Sequence, residues 1–479
     1  MTNLNLFNSI IGFQRSYNII NDSILKQISS NEKNLNSIND IYIEHLINLK
    51  NITDFSKIKY FENNQIRQQE NRKNFDPISE KNIHFRRQLR VLQLVPNSLS
   101  NDIEKSRIAL FIAWNNGMSK KKFPVYEFDN YIQKYRNYCE IVSGVLKNKN
   151  YYDALVSFNH PRISCEFLEK VFHKAAGLVK KEYKFACENS KNIKISKLDS
   201  FLIKDEQYKD IFHNVKCSFD LDNECNSNYD IVDGNFLRNS LIFGKSDVDF
   251  QQNIINELML SSRKILDNRF CDKSSLFESY NSTLLINTIS YFFSFYLLKS
   301  KCYIGNFSDL VKRVVRCKSK ISDSVNLYWI FNKQSNDINM ENHNEVSQMF
   351  FNMIQYIIER DLINGQIIGS DIEEIWMSGV KNYFGNDVDV QPWHILQNRN
   401  WGFGKLCRPG LDTISILGGA MMFDQYSKRV LNAEYDKNII KKFLNNIDIS
   451  NIDYSTSAMI DETMNNVDIF VKHLKEKFI

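Results

Sequence analysis

Only 16 glycines and six prolines are spread over 479 residues. That scarcity constrains the fold more than any other feature. Folds built from many short strands need tight turns at regular intervals, and those turns draw on Gly and Pro. A chain so poor in both is expected to be built from long helices joined by polar loops. The apolar content, 43% hydrophobic with 13% aromatic, supplies a packed core and excludes a disordered chain. The length suggests two or three domains.

The most apolar stretch, Thr283–Leu298, is interrupted by Asn287, Ser290 and Ser294. It is too short and too polar to span a bilayer and reads as a buried core helix. The opening residues Met1–Gln14 lack the pattern of a secretory or transit segment. The nine cysteines are odd in number and scattered, which points to free thiols in a reducing compartment. Helical spacing is clear at Phe167, Val171, Phe172, Ala175, Leu178 and Val179, and Arg107–Trp114 reads as buried. The polar stretch between Glu188 and Asp233 is the expected domain boundary. Beyond it, Ser246 and Asp249 read as a capping box opening a helix. The region 365–419 holds nine of the glycines and Trp376, Trp393 and Trp401. It reads as shaped loops on a scaffold, or equally as a loop-rich connection packed by its tryptophans.

Most enzyme templates fail. The chain contains no CxxC, HExxH, GxSxG, GxxxxGK[ST] or GxGxxG. His160, Cys165 and His173 form the one local His/Cys group, at spacings that match no zinc pattern. Gly234-Asn235 followed by Asp247 and Asp249 has the spacing of a nucleotidyltransferase metal site, although the capping box explains the same acids. Asp387 and Asp389, with Asp371 sixteen residues upstream, resemble the DxD element of toxin-like glycosyltransferases. There a divalent metal neutralises the leaving diphosphate. A metal-dependent glycosyltransferase using Asp387 and Asp389 is therefore the alternative reading.

A second signal is concentrated charge. Between Lys81 and Arg136 stand eleven basic and four acidic residues, so this segment carries +7 while the whole chain carries +5. Phe85, Trp114, Phe123, Tyr126, Phe128, Tyr131 and Tyr135 are interleaved with the cations. Cations for phosphates and flat rings for bases are what a single-stranded nucleic-acid groove needs. The competing reading is a solvated helix face over an aromatic core.

The string Asn82-Ile-His-Phe-Arg-Arg-Gln-Leu-Arg90, then Trp114–Gly117, then Phe-Pro-Val-Tyr-Glu-Phe-Asp129, resembles the core of filamentous plant-virus coat proteins. The flavour is that of closteroviruses and criniviruses, whose larger minor coat proteins and virion-associated proteins are nearest in size. The resemblance implies that Arg86 or Arg87 packages RNA and that Asp129, 43 or 42 residues on, pairs with it. A half-buried arginine needs such a partner, and its forked guanidinium can hold carboxylate and phosphate together. Arg90 and Lys120, Lys121 and Lys122 would add salt-dependent affinity.

The expectation is thus a mainly α-helical protein in two parts. Residues 1–187 form an arm and a coat-protein-like RNA-binding domain, 188–233 a polar connector, and 234–479 a second, mainly helical domain with the Gly/Trp-rich loops. The implied role is structural, coating single-stranded viral RNA in a flexuous virion, in the particle or the host cytoplasm, with no catalysis, no cofactor and no membrane. The partners are RNA and other coat-protein copies. Trp393 and Trp401 would face a host or insect-vector protein.

Overall fold

A computed structural model describes Arg87, Arg90, Val91, residues 93–191, 278–315, 323–332, Ile338, 344–429 and 460–478. Among these residues there are helices and no strands, as the scarcity of turn residues predicts. The Ser246/Asp249 capping box and the Asp247/Asp249 pair lie outside the described residues, as do Phe85 and Arg86.

The first half supplies α1 (Asn97–Lys120), α2 (Val125–Leu146), α3 (Tyr151–Asn159) and α4 (Cys165–Lys191). Helix α1 stops where Lys121 takes the left-handed conformation and the Lys122 amide donates back to the Gly117 carbonyl, at 3.0 Å. Helix α3 opens at Asn150, whose side chain accepts from the Asp153 amide at 2.9 Å. Along α4 the stripe through Val171, Phe172, Ala175 and Val179 is buried, while Leu178 emerges to the surface.

The second half begins with α5 (Glu278–Tyr291), which runs into a π-helical turn over Phe292–Leu297. This apolar stretch is a buried core helix, as expected, with Leu284, Leu285, Phe292, Tyr296 and Leu297 inside. Its wider last turn is marked by the Leu298 amide donating to the Phe293 carbonyl, five residues back. Then follow α6 (Lys301–Val315), α7 (Ser324–Asn332), α8 (Glu345–Ile363), α9 (Ile372–Phe384), the short α10 (Arg399–Gly402), α11 (Pro409–Arg429) and α12 (Thr463–Phe478). No helix among the described residues is long and apolar enough to cross a membrane.

Helix α8 is the axis of the molecule. Most of its residues are buried on every side, the pattern of a helix surrounded by others. It is capped by a reciprocal Asn344/Ser347 box. It packs against α2, α3 and α4 from the first half and against α9 and α11 from the second. One hydrophobic core therefore runs through both segments, joining Trp114, Phe128 and Tyr131 to Phe351, Trp376 and Trp401.

The region 365–419 is not a set of projecting loops. Trp376 and Trp401 are fully buried, and the segment presses onto α1 and α2. The Trp114 indole donates to the Leu396 carbonyl at 2.7 Å, and the Tyr131 hydroxyl donates to the Gly404 carbonyl at 2.6 Å. Glycine is required at 404 because its φ is +66° and a Cβ would stand 2.7 Å from Arg107 Cγ. The local wealth of glycine reflects close approach of backbone to side chains.

Candidate functional site

Two carboxylates lie at the centre of this core, both on α8. Glu359 is 1% exposed. Its Oε1 accepts from the Trp401 indole at 2.6 Å, and its Oε2 accepts from the Cys407 amide at 2.8 Å and the Tyr152 hydroxyl at 3.1 Å. Burial pushes this carboxyl up to about 7, against the pull of the three donors. Cys407, at φ 61°, sits beside it, and burial drives its thiol well above the usual range. That thiol is no nucleophile at neutral pH. A recess lined in part by Tyr152, His160, Leu168, Cys407 and Gly410 adjoins the group. Its room for about one water is too small for an amino-acid side chain.

The second carboxylate, Glu345, opens α8 and is fully buried. Lys477 from α12 donates to its Oε1, and Lys299, just past the π turn, stands 3.7 Å from its Oε2. Burial alone would raise this carboxyl, but Lys477 and Lys299 hold it down to about 2. Burial lowers Lys299 to about 8, with Glu345 opposing. His473, one turn before Lys477, completes the cluster. The residue is half-buried, with its ring packed on Tyr296 and Phe423, and its Nε2 is shut off from water and makes no hydrogen bond. Burial and Lys477 lower it to about 4.

Among the described residues, those singled out from the sequence are not brought together. Arg87 and Arg90 are exposed on the approach to α1, and Lys120, Lys121 and Lys122 are exposed at its end. Lys121 extends over the Trp393 ring, 4.8 Å from its centre. Asp129 Oδ1 accepts from the Gly369 amide at 2.7 Å, so its partner is a backbone N–H. A Cβ at Gly369 would meet that same oxygen at 2.7 Å. The aromatics between Trp114 and Tyr131 are largely core: Trp114, Phe123, Phe128 and Tyr131 are each at most 2% exposed, and only Tyr126 stands out in solvent. The interleaving that suggested base stacking is thus mostly the inner face of α1 and α2. His160 and Cys165 are buried and His173 is exposed, and they form no cluster. Asp387 and Asp389 are exposed on the turn after α9, where Asp389 accepts from Gln391 at 2.7 Å. No sheet stands near them among the described residues, so the nucleotide-sugar reading lacks its scaffold. The sequence reasoning missed both buried acids. For Glu359 the signal was an acidic residue directly after the largely apolar helical run Met349–Ile358.

The family model for Carboxypeptidase Taq (M32) metallopeptidase matches residues 283–478. Among solved structures, a Pyrococcus furiosus carboxypeptidase superposes with a TM-score of 0.69 at 15% identity, covering 99% of this chain and 98% of that one. The fold is that of the M32 carboxypeptidases. An M32 carboxypeptidase from Deinococcus radiodurans gives 0.68 at 12% identity, and Trypanosoma cruzi metallocarboxypeptidase 1 gives 0.66 at 13%, each covering 98% of this chain and 99% of its own. No curated protein matches the chain.

These findings overturn the coat-protein resemblance. With it go the virion and host-cytoplasm location, the RNA, coat-protein and vector partners, and the purely structural, non-catalytic role, since the shared fold belongs to enzymes. The glycosyltransferase alternative falls on the same ground. The resemblance rested on about fifty residues whose anchors were a charge spacing and a few rings. Neither specifies a fold, because the same residues serve here as helix surface and core.

The family description names a metallopeptidase, so the residues present must be tested against a metal. The described residues do not fit one. The helical zinc pattern of metallopeptidases sets two histidines four apart with a general-base glutamate between them. None of the eight histidines stands four residues from another, and none is followed by Glu. Among the described residues no three His, Cys, Asp or Glu side chains converge.

Proposed function

We propose that this chain handles peptides at their carboxyl-terminal ends, as substrates or as ligands. The observation that supports this is the match to carboxypeptidases over nearly the whole length of both partners, at TM-scores of 0.66 to 0.69 in three cases. The family match over 283–478 agrees with it. No hydrolytic step is assigned to particular side chains, because the donors that would hold a catalytic metal are not assembled by the described residues.

The test is to incubate the purified full chain with paired peptides that differ only in a free or amidated carboxyl terminus. Mass spectrometry then scores both retention and loss of the last residue. Free-carboxylate peptides are expected to be retained or trimmed in preference to their amides. Equal indifference to both sets would overturn the reading.

A further inference from the structure

A divalent cation in a protein interior needs several anionic or imidazole donors pointing at one place, free of other partners. Among the described residues the buried acids, Glu359 and Glu345, already face donors or cations of the protein. Both oxygens of Glu359 are occupied by N–H and O–H donors, three in all, which leave no approach for a cation. Glu345 faces two ammonium groups, Lys477 and Lys299, and a cation there would be a third positive charge beside one carboxylate. Helix α5, which opens the segment matching the metallopeptidase family, is buried through Leu284, Leu285, Thr288 and Ile289 and carries no histidine. Two of its polar groups, Thr288 and Asn287, are turned inward on the fold itself. The Thr288 hydroxyl donates to the Leu284 carbonyl at 2.8 Å, and the Asn287 amide donates to Asp412 at 3.4 Å.

We infer that this chain keeps the carboxypeptidase fold without a metal centre, and that the charges buried together at Lys299, Glu345 and Lys477 are balanced by the protein's own side chains. The cluster ties the end of the π turn, the start of α8 and the last turn of α12. These are three elements of the segment that matches the metallopeptidase family. A lysine ammonium is a fixed point charge on a tether, so it neutralises a buried carboxylate and anchors a helix without any ligand from solution. The inference rests on the donor set of this chain and does not depend on peptide binding.

The experiment is elemental analysis of the full chain, expressed with added zinc, manganese and cobalt and passed through gel filtration. Thermal unfolding is then followed with and without chelator. The expected result is well under one equivalent of any transition metal and an unchanged unfolding midpoint. Metal that a brief chelator wash removes without moving the midpoint is surface-bound and agrees with the inference. About one equivalent retained through filtration, with a midpoint that falls on chelation, overturns it. Peptide trimming that stops on chelation would overturn it too while leaving the proposed function standing. Indifference to peptides with no metal bound would do the reverse.

Discussion

The indole of Trp401 donates to the carboxylate of Glu359, 42 residues away in sequence, at 2.6 Å and deep in the core. That bond, with those from Tyr152 and Cys407, makes Glu359 the point where α3, α8 and the glycine-rich segment are held together. It also sets a pH dependence. A carboxyl raised to about 7 binds a proton more tightly in the folded state than in the unfolded one.

Its contribution to stability is therefore best below about pH 4.5 and declines as pH rises towards 7, by roughly 3 kcal/mol in all. In Glu359→Gln that decline disappears. The variant also leaves at least one buried donor without an acceptor, at a cost of about 1–3 kcal/mol at acidic pH. Urea unfolding from pH 4.5 to 7.5 checks both. A wild-type slope that persists in the variant would remove Glu359 as its source.

Lys477→Met should be strongly destabilising, by about 3–5 kcal/mol, because it leaves Glu345 buried with only the more distant Lys299. Replacing Lys299, Glu345 and Lys477 together with methionine removes the uncompensated charges and should recover most of that loss. Chemical unfolding of the single and triple variants tests this. A triple variant no more stable than the single one would mean that shape, and not charge, decides at this site.

Asp129 acts as an acceptor for the Gly369 amide. Asp129→Asn keeps an acceptor oxygen and should cost under about 1 kcal/mol, whereas Asp129→Ala should cost about 1–3 kcal/mol. Burial lowers Arg136 and Asp129 opposes that shift, so a charge effect is the competing account. Equal losses in the two variants would favour it.

Much of the fold was legible in the chain. The shortage of glycine and proline excludes a strand-rich fold, and the apolar run at 283–298 and the stripe on α4 are buried where their spacing places them. Leu178 fits the period yet is 38% exposed, because periodicity locates a face without saying where its neighbours end. The glycine/tryptophan region stood out as unusual, but composition could not tell loops that project from loops that press inward. The close approach of Gly404 to Arg107 and Tyr131, with the buried Trp376 and Trp401, reveals which it is. The charge spacing from Arg87 to Asp129 misled for a related reason. A carboxylate can be satisfied by any nearby N–H, and here that N–H lies 240 residues away on Gly369. Glu345 and its lysines were not legible, since they come from three distant segments and none carries a motif.

In this chain the interior of a carboxypeptidase fold is organised by the protein's own side chains. The decisive measurement is calorimetric titration of zinc into the chelator-treated full chain. No saturable one-to-one event is expected, only weak heats that vanish in moderate salt. A saturable event at one zinc per chain, unaffected by salt, would contradict that organisation.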